Sequence, residues 1–206
     1  MTECNTPWGR KWLKLNCHDP KLQEAATSAE KFCGRWFRNN PKPGLLLLVG
    51  DPNCGKTHIS RKIAAWAQAV AWKAFYDGLG KTWRKLPSVV YLLWPEVVDG
   101  FIDGHSGAMD DIINAGMVLL DDVGADIDPT GNATNKLCQI LNRREKAFTV
   151  ITTNVPPYKW PERFDARICD RFLRNSDVVD LFGVKSYAFI SDPTPTPREV
   201  SQPYKD

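Results

Sequence analysis

The stretch LLLLVGDPNCGKTHIS, residues 45–60, runs four leucines and a valine directly into a glycine loop that ends in Gly-Lys-Thr. Five apolar residues with no polar alternation read as a strand buried on both faces. Glycines at 50 and 55 let the following backbone bend so that several N–H groups face inward on one anion. A helix opening at the end of the loop adds the positive end of its dipole. The spacing fits G-x-x-x-x-G-K-[ST]. In that pattern Gly50, Asp51, Pro52, Asn53, Cys54 and Gly55 wrap the phosphates of a nucleotide, and Lys56 reaches the β- and γ-phosphates. Thr57 holds Mg²⁺ through its hydroxyl, and His58 completes the candidate set. An ordinary glycine turn between strand and helix is the plain alternative. The residues that follow favour the cradle, because Ile59, Ile63, Ala67 and Val70 recur at helical spacing and the loop therefore opens a helix.

With 206 residues, 43% of them apolar and 25% charged, the chain can bury a full core in one globular domain. No apolar run approaches the ~20 residues needed to span a bilayer, and the N-terminus lacks the apolar region of a signal peptide. The expected location is cytoplasmic, in a bacterial, phage or other intracellular setting, with no membrane partner. A net charge of +3 permits nucleic-acid contact without demanding it. The six cysteines contain no C-x-x-C pair, so they read as free thiols. Cys4, Cys17, His18 and Cys33 could together hold a zinc ion, although their gaps are far from the usual short ligand pairs, and Cys54 reads as a small side chain tolerated within the loop.

Residues 1–40 form a lead-in segment with one helical stretch, KLQEAATSAEKFCGRWFRNN; residues 41–190 carry the main domain; 191–206 are expected to be a proline-rich, polar, flexible tail, extended or disordered. Within the main domain SVVYLLW is a second strand, and Pro95 opens a helix after it. Met117 to Leu120 form a third strand that ends in Asp121 and Asp122. A helix over Thr134–Arg144 places Leu137, Ile140 and Leu141 on one face. FTVITTN is a fourth strand, FDARICDRFLR a short basic helix and DVVDLFGV a fifth strand. Near-continuous apolar strands alternating with helices predict an α/β fold: a five-stranded parallel sheet covered on both faces.

Two further groups gather around the loop. An acidic residue at the end of a neighbouring buried strand can hold the Mg²⁺ shell, a role that falls to Asp121, while Asp122 would orient or deprotonate an attacking water. Asn154 closes the fourth strand, where a polar side chain could position that water and sense the γ-phosphate. Arg163, Arg167 and Arg171 recur four apart and predict one basic stripe along a single helix. In GKTWRKLP, Lys81, Arg84 and Lys85 surround Trp83, a mix suited to phosphate contact and base stacking and equally to a solvated loop.

The ordered set GDPNCGKTHIS, VLLDDVGAD, LNRREKAFTVITTN, RFDARICDRF and VVDLFG resembles the AAA+ ATPases of the DnaC/DnaI helicase-loader and IstB transposition-helper group. The resemblance covers roughly residues 40–185. It implies a P-loop NTPase fold with the lid domain absent or minimal, and it implies ATP and Mg²⁺ as cofactors. It further implies Lys56 and Thr57 on the phosphates and metal, Asp121 and Asp122 as the Walker B pair, Asn154 as sensor 1, and Arg171 as an arginine finger, with Arg167 the second candidate. The implied partners are other copies of the chain in a ring, spiral or filament, DNA that is expected to be single-stranded, and a replicative helicase or a transposase. The implied activity is ATP hydrolysis stimulated by oligomerisation or DNA. Alternatives are a transposition helper that forms filaments on duplex DNA, a viral-type Rep helicase suggested by ITTNVPP, and a scaffold that hydrolyses ATP slowly because Asp122 is shorter than glutamate. The 31 residues between Asp122 and Asn154 leave little room for the DNA-contacting insertion of a Rep helicase. Two expectations depart from the family pattern: the chain after the fifth strand is too short for a lid with its own arginine, and the lead-in segment is too short for a helicase-gripping domain.

Overall fold

The computed structural model describes residues 19–38, 44–76, 88–102, 108–126, 131–174 and 176–185. In chain order the elements are α1 (Pro20–Phe37), β1 (Leu45–Val49), α2 (Lys56–Tyr76), β2 (Val89–Leu93), α3 (Trp94–Ile102), α4 (Ala108–Asn114), β3 (Met117–Asp121), α5 (Asn132–Arg143) and β4 (Phe148–Thr153). A short 3₁₀ turn at Pro157–Lys159 leads into α6 (Trp160–Arg163), α7 (Ala166–Arg174) and β5 (Ser176–Asp180). The five strands pair in the order β2-β3-β4-β1-β5, every pairing parallel, as the apolar runs predict.

Period-two alternation divides the strands between two cores. Leu46 and Leu48 of β1, Met117 and Leu119 of β3, and Phe148 and Val150 of β4 pack with α1 and α2. Leu45, Leu47 and Val49, with Val118, Leu120 and Ile151, pack on the other side with α3, α5, α6 and α7. The lead-in helix belongs to the first core. Asp19 caps it by accepting from the Lys21 N–H at 2.9 Å, Pro20 fills its first turn, and Leu22, Ala25, Ala29, Phe32 and Trp36 present one buried face. Cys33 lies in that buried face, where burial pushes its thiol pKa up.

Three expectations change. The basic stripe does not exist as one helix: α6 ends at Arg163, Phe164 is extended, and Asp165 starts α7 by accepting from the Arg167 N–H at 2.8 Å. The break follows from burial, since Phe164 packs its ring edge-on against Phe172, 5.5 Å between centroids, and turns the chain between the helices. β5 stops at Asp180, because Leu181 to Val184 form a turn with Gly183 at φ 78°. The seven-residue α4 has no counterpart in the sequence-based expectation, being shorter than the window over which helical periodicity registers.

Arg144 joins elements at the amino-terminal edge of the sheet. Its side chain is 3% exposed and donates to the carbonyls of Ile112 (2.8 Å), Ala115 (2.7 Å) and Phe148 (2.7 Å) and to the Thr149 hydroxyl (3.1 Å). It thereby satisfies the last carbonyls of α4 and ties them to β4. Burial pushes its pKa down to about 10, which still leaves it charged at neutral pH. Replacing Arg144 with Leu orphans these buried acceptors and is expected to lower stability by about 3 kcal/mol, read from the shift of a urea unfolding midpoint. A shift within error would show that water serves the carbonyls equally well.

Candidate functional site

The strand order sets β3, β4 and β1 side by side, and their carboxyl ends carry Asp121 with Asp122, Asn154, and the glycine loop respectively. Ligands of parallel α/β sheets bind at this edge. A cleft of about 380 Å³ opens there, lined by Pro52, Asn53, Gly55, Lys56, Thr57, His58, Asp122, Thr152 and Asn154. The loop reaches its shape through two left-handed residues, Asn53 at φ 61° and Gly55 at φ 104°. Gly50 is required by close approach: a Cβ there would lie 2.8 Å from the Leu181 backbone and 2.9 Å from the Cys54 sulfur. Asp51, on the outer side of the loop, accepts from the Gly183 N–H at 3.1 Å and pins the loop to the turn after β5.

Lys56 is 6% exposed, and its ammonium donates to the carbonyls of Gly50 (2.9 Å) and Asp51 (2.7 Å), with the Cys54 sulfur at 3.6 Å. These neutral acceptors hold the charge at the throat of the loop. An anionic oxygen is a stronger acceptor than either carbonyl and can displace them.

Asp121 is 1% exposed. Its Oδ1 accepts from the Thr152 hydroxyl at 2.5 Å and from the Thr57 hydroxyl at 3.3 Å; its Oδ2 accepts from the Tyr91 hydroxyl. Thr152 can donate because its oxygen accepts the Asp122 N–H at 2.8 Å, which fixes the direction of its proton. Burial, and then the hydrogen bond to the Asp121 carboxylate, raise the Tyr91 pKa, so the phenol stays a donor at neutral pH. The donor set fits a hard divalent cation: a carboxylate and a hydroxyl at one point, with an open cleft beside them for water and phosphate oxygens. Among the described residues no cluster of three or more His, Cys, Asp or Glu is placed to hold a metal ion.

Asp122 takes the left-handed conformation, φ 64°, which turns its carboxylate from the strand into the cleft. The Asn154 amide donates to its Oδ1 at 2.8 Å. The next turn is braced by Arg163, which donates to the carbonyls of Gly124 (3.2 Å) and Asp126 (2.7 Å) and pairs with the Asp126 carboxylate.

The structure therefore brings the glycine loop, Asp122 and Asn154 around one cleft, with Asp121 buried beside it. It does not bring Arg167 or Arg171 there. Arg167 is exposed and pairs with Asp165. Arg171 pairs with Glu145 at 2.9 Å and donates to Asn142 at 3.2 Å, beside Gly44 and Thr149 at the opposite edge of the sheet. Lys81, Trp83, Arg84 and Lys85 lie outside the described residues, as do Cys4, Cys17 and His18. Sequence reading missed Thr152, Tyr91 and Arg61, whose Nε donates to the Tyr91 oxygen at 3.2 Å. Their signal is positional: in the parallel register Tyr91 and Thr152 share the sheet face of Asp121, the face that α2 covers.

A glycine loop and an acidic strand end at the carboxyl edge of a five-stranded parallel sheet define a P-loop protein of the AAA+ type. The family model for IstB-like ATP-binding proteins matches residues 35–189, and the chain belongs to that family. A crystal structure of DnaI is similar at 21% identity and a TM-score of 0.62, over 83% of this chain and 86% of that one. A crystal structure of the DnaC helicase loader is similar at 15% identity and a TM-score of 0.57, over 79% and 90%. The replication initiator DnaA bound to AMPPCP and single-stranded DNA is similar at 16% identity and a TM-score of 0.55, over 74% and 45%. The chain thus spans less than half the length of that DnaA, and at these identities the likeness is one of fold. No curated protein sequence matches the chain. No helix among the described residues is long and apolar enough to cross a membrane.

His58 gives this geometry an electrostatic test that needs no ligand. Burial, and secondarily the Lys62 ammonium, lower its pKa from 6.5, so the fold favours the neutral ring. Stability from this residue is complete above the ordinary value and declines as pH falls below 6.5. An NMR titration should place the His58 midpoint below that value, and Lys62→Ala should move it back up. A midpoint at or above 6.5 in the unaltered chain would contradict the placement.

Proposed function

We propose that this chain binds ATP with Mg²⁺ in the cleft and hydrolyses it, as an oligomer that assembles on DNA. Two observations together carry the proposal: the Lys56 ammonium held by loop carbonyls at the throat of the glycine loop, and the Asp121 carboxylate that accepts from the Thr57 hydroxyl at the start of α2. Gly50 to Gly55 take the phosphates on backbone N–H groups and the start of α2, with His58 at the margin of the same cleft. Lys56 moves its donors from loop carbonyls to phosphate oxygens. Thr57 and Asp121 hold Mg²⁺, which when bound neutralises charge on the β- and γ-phosphates. Asp122 accepts the proton of the attacking water, and Asn154 holds the Asp122 carboxylate in position through the 2.8 Å bond.

Charge developing on the γ-phosphoryl oxygens needs a further cation. Arg171 faces away from the cleft of its own chain, which supports a finger supplied to a neighbouring copy, with Arg167 at the same interface. DNA as the platform is supported by the shared fold with the loaders DnaI and DnaC and with a DNA-bound initiator. The DNA is proposed to be single-stranded and the protein partner a replicative helicase, with residues 1–40 and 191–206 flanking the ATPase domain. The IstB-like family match favours a second reading, a transposition helper on duplex DNA whose partner is a transposase. Images of the particle with an ATP analogue and each form of DNA separate the two.

Asp122→Asn keeps the size of the side chain and loses the base. It should bind ATP within about twofold of the unaltered chain and hydrolyse it about 10²–10³-fold more slowly. Turnover at the original rate would remove Asp122 from the chemistry.

A mixing experiment tests the finger. Lys56→Ala leaves a good arginine beside a dead pocket, and Arg171→Ala leaves a good pocket without its arginine. Each alone should lose about 10³-fold or more in ATPase rate. Together they should regain part of it at junctions that pair the intact halves. Co-assembly without recovery would show that Arg171 does not act in trans.

A further inference from the structure

Asp121 has one contact that the metal and the water do not explain. Tyr91 lies at the middle of β2, the edge strand, and its ring packs against the α2 side of the sheet. Its hydroxyl donates to Asp121 Oδ2, while Arg61, on the exposed side of α2 one turn beyond Thr57, donates Nε to the same hydroxyl oxygen at 3.2 Å and sets its guanidinium 5.7 Å from the ring centre. The proton directions follow from chemistry alone. An arginine only donates, so the Tyr91 oxygen accepts from Arg61, and the single phenolic proton goes to the carboxylate. Asp121 is thereby held at both oxygens: Oδ2 by Tyr91, Oδ1 by Thr152 and Thr57. With Oδ2 tied back toward β2, Oδ1 is left to the hydroxyls of Thr152 and of Thr57, the latter a residue that lines the cleft.

Building on the ATP–Mg²⁺ reading above, we propose that Tyr91, oriented by Arg61, is a positioning residue for the metal site, fixing the rotation of the Asp121 carboxylate so that Oδ1 stays on the Thr57 hydroxyl and holds that hydroxyl oxygen in place for the metal. The chain Arg61–Tyr91–Asp121 also connects the outer surface of α2 to the metal carboxylate. A phosphate or carboxylate that engages Arg61 from outside would withdraw the group that orients the phenol, and so loosen the grip on the metal.

Tyr91→Phe keeps the packed ring and removes only the hydroxyl. The full chain is titrated with a β,γ-methylene ATP analogue in EDTA, and then with Mn²⁺ at saturating analogue, followed by electron paramagnetic resonance of the free ion. A positioning role predicts that Tyr91→Phe raises the Mn²⁺ concentration for half-saturation about tenfold while analogue affinity in EDTA stays unchanged. Arg61→Gln, on the exposed helix surface, should move the Mn²⁺ requirement in the same direction by less. An unchanged Mn²⁺ requirement in Tyr91→Phe overturns the inference. An equal loss of analogue affinity in EDTA also overturns it, since that marks a merely structural role. If the unaltered chain binds no analogue in either condition, the ATP reading itself fails, a result distinct from both.

Discussion

A carboxyl group that is 1% exposed has lost its water and needs donors in its place, and the site is built around that requirement at Asp121. The donors come from three elements: Thr57 from α2, Thr152 from β4 and Tyr91 from β2. Each reaches Asp121 only if β2, β3 and β4 are adjacent and in register and α2 lies across the same face. The cleft cannot therefore be assembled by halves. The same network sets Asp122, because the Thr152 hydroxyl that donates to Asp121 accepts the Asp122 N–H, and the left-handed turn at Asp122 is anchored by it. A left-handed aspartate costs about 1–2 kcal/mol, and that strain is tolerated where the surroundings over-determine the backbone.

The parts legible in the sequence are those that chemistry forces into a local pattern. Strand β1 is five apolar residues because it is flanked by β4 and β5 and covered on both faces, so that Leu45 to Val49 are all buried. The glycine loop is legible because Gly50 and Gly55 meet steric demands that few other residues can meet. Asp121, Asp122 and Asn154 stand out as polar residues closing apolar strands. Thr152 and Tyr91 do not, since a threonine or tyrosine within a strand is ordinary β-sheet composition. Their roles appear only when strand order makes them neighbours of Asp121, and that order depends on contacts between residues far apart in the chain.

The basic stretch after β4 illustrates the opposite error. Spacing of four among Arg163, Arg167 and Arg171 is a local pattern, and local pattern favours one helix. Tertiary packing prevails because burying Phe164 against Phe172, and Phe172 against Trp160, is worth more than aligning three arginines on one helix face. Breaking the helix at Phe164 gives the three cations different partners. Arg163 braces the turn after Asp122, Arg167 pairs within its own helix start, and Arg171 reaches Glu145.

That separation bears on assembly. The cleft lies at the carboxyl edge of β1 and β4, whereas Arg171 lies beside Gly44 and Thr149 at their amino edge, about 16 Å away along a five-residue strand. If Arg171 serves a pocket on another copy, as proposed, the contacting surfaces on the two copies are different patches. A two-fold dimer uses one patch against itself, so a dimer of that kind would have to span both edges of the sheet in a single interface. Joining unlike patches is the simpler solution, and repetition of such a head-to-tail contact gives a ring where the rotation closes and a helical filament where it does not. On that proposal, the choice between a closed and an open assembly rests on the angle between neighbouring copies.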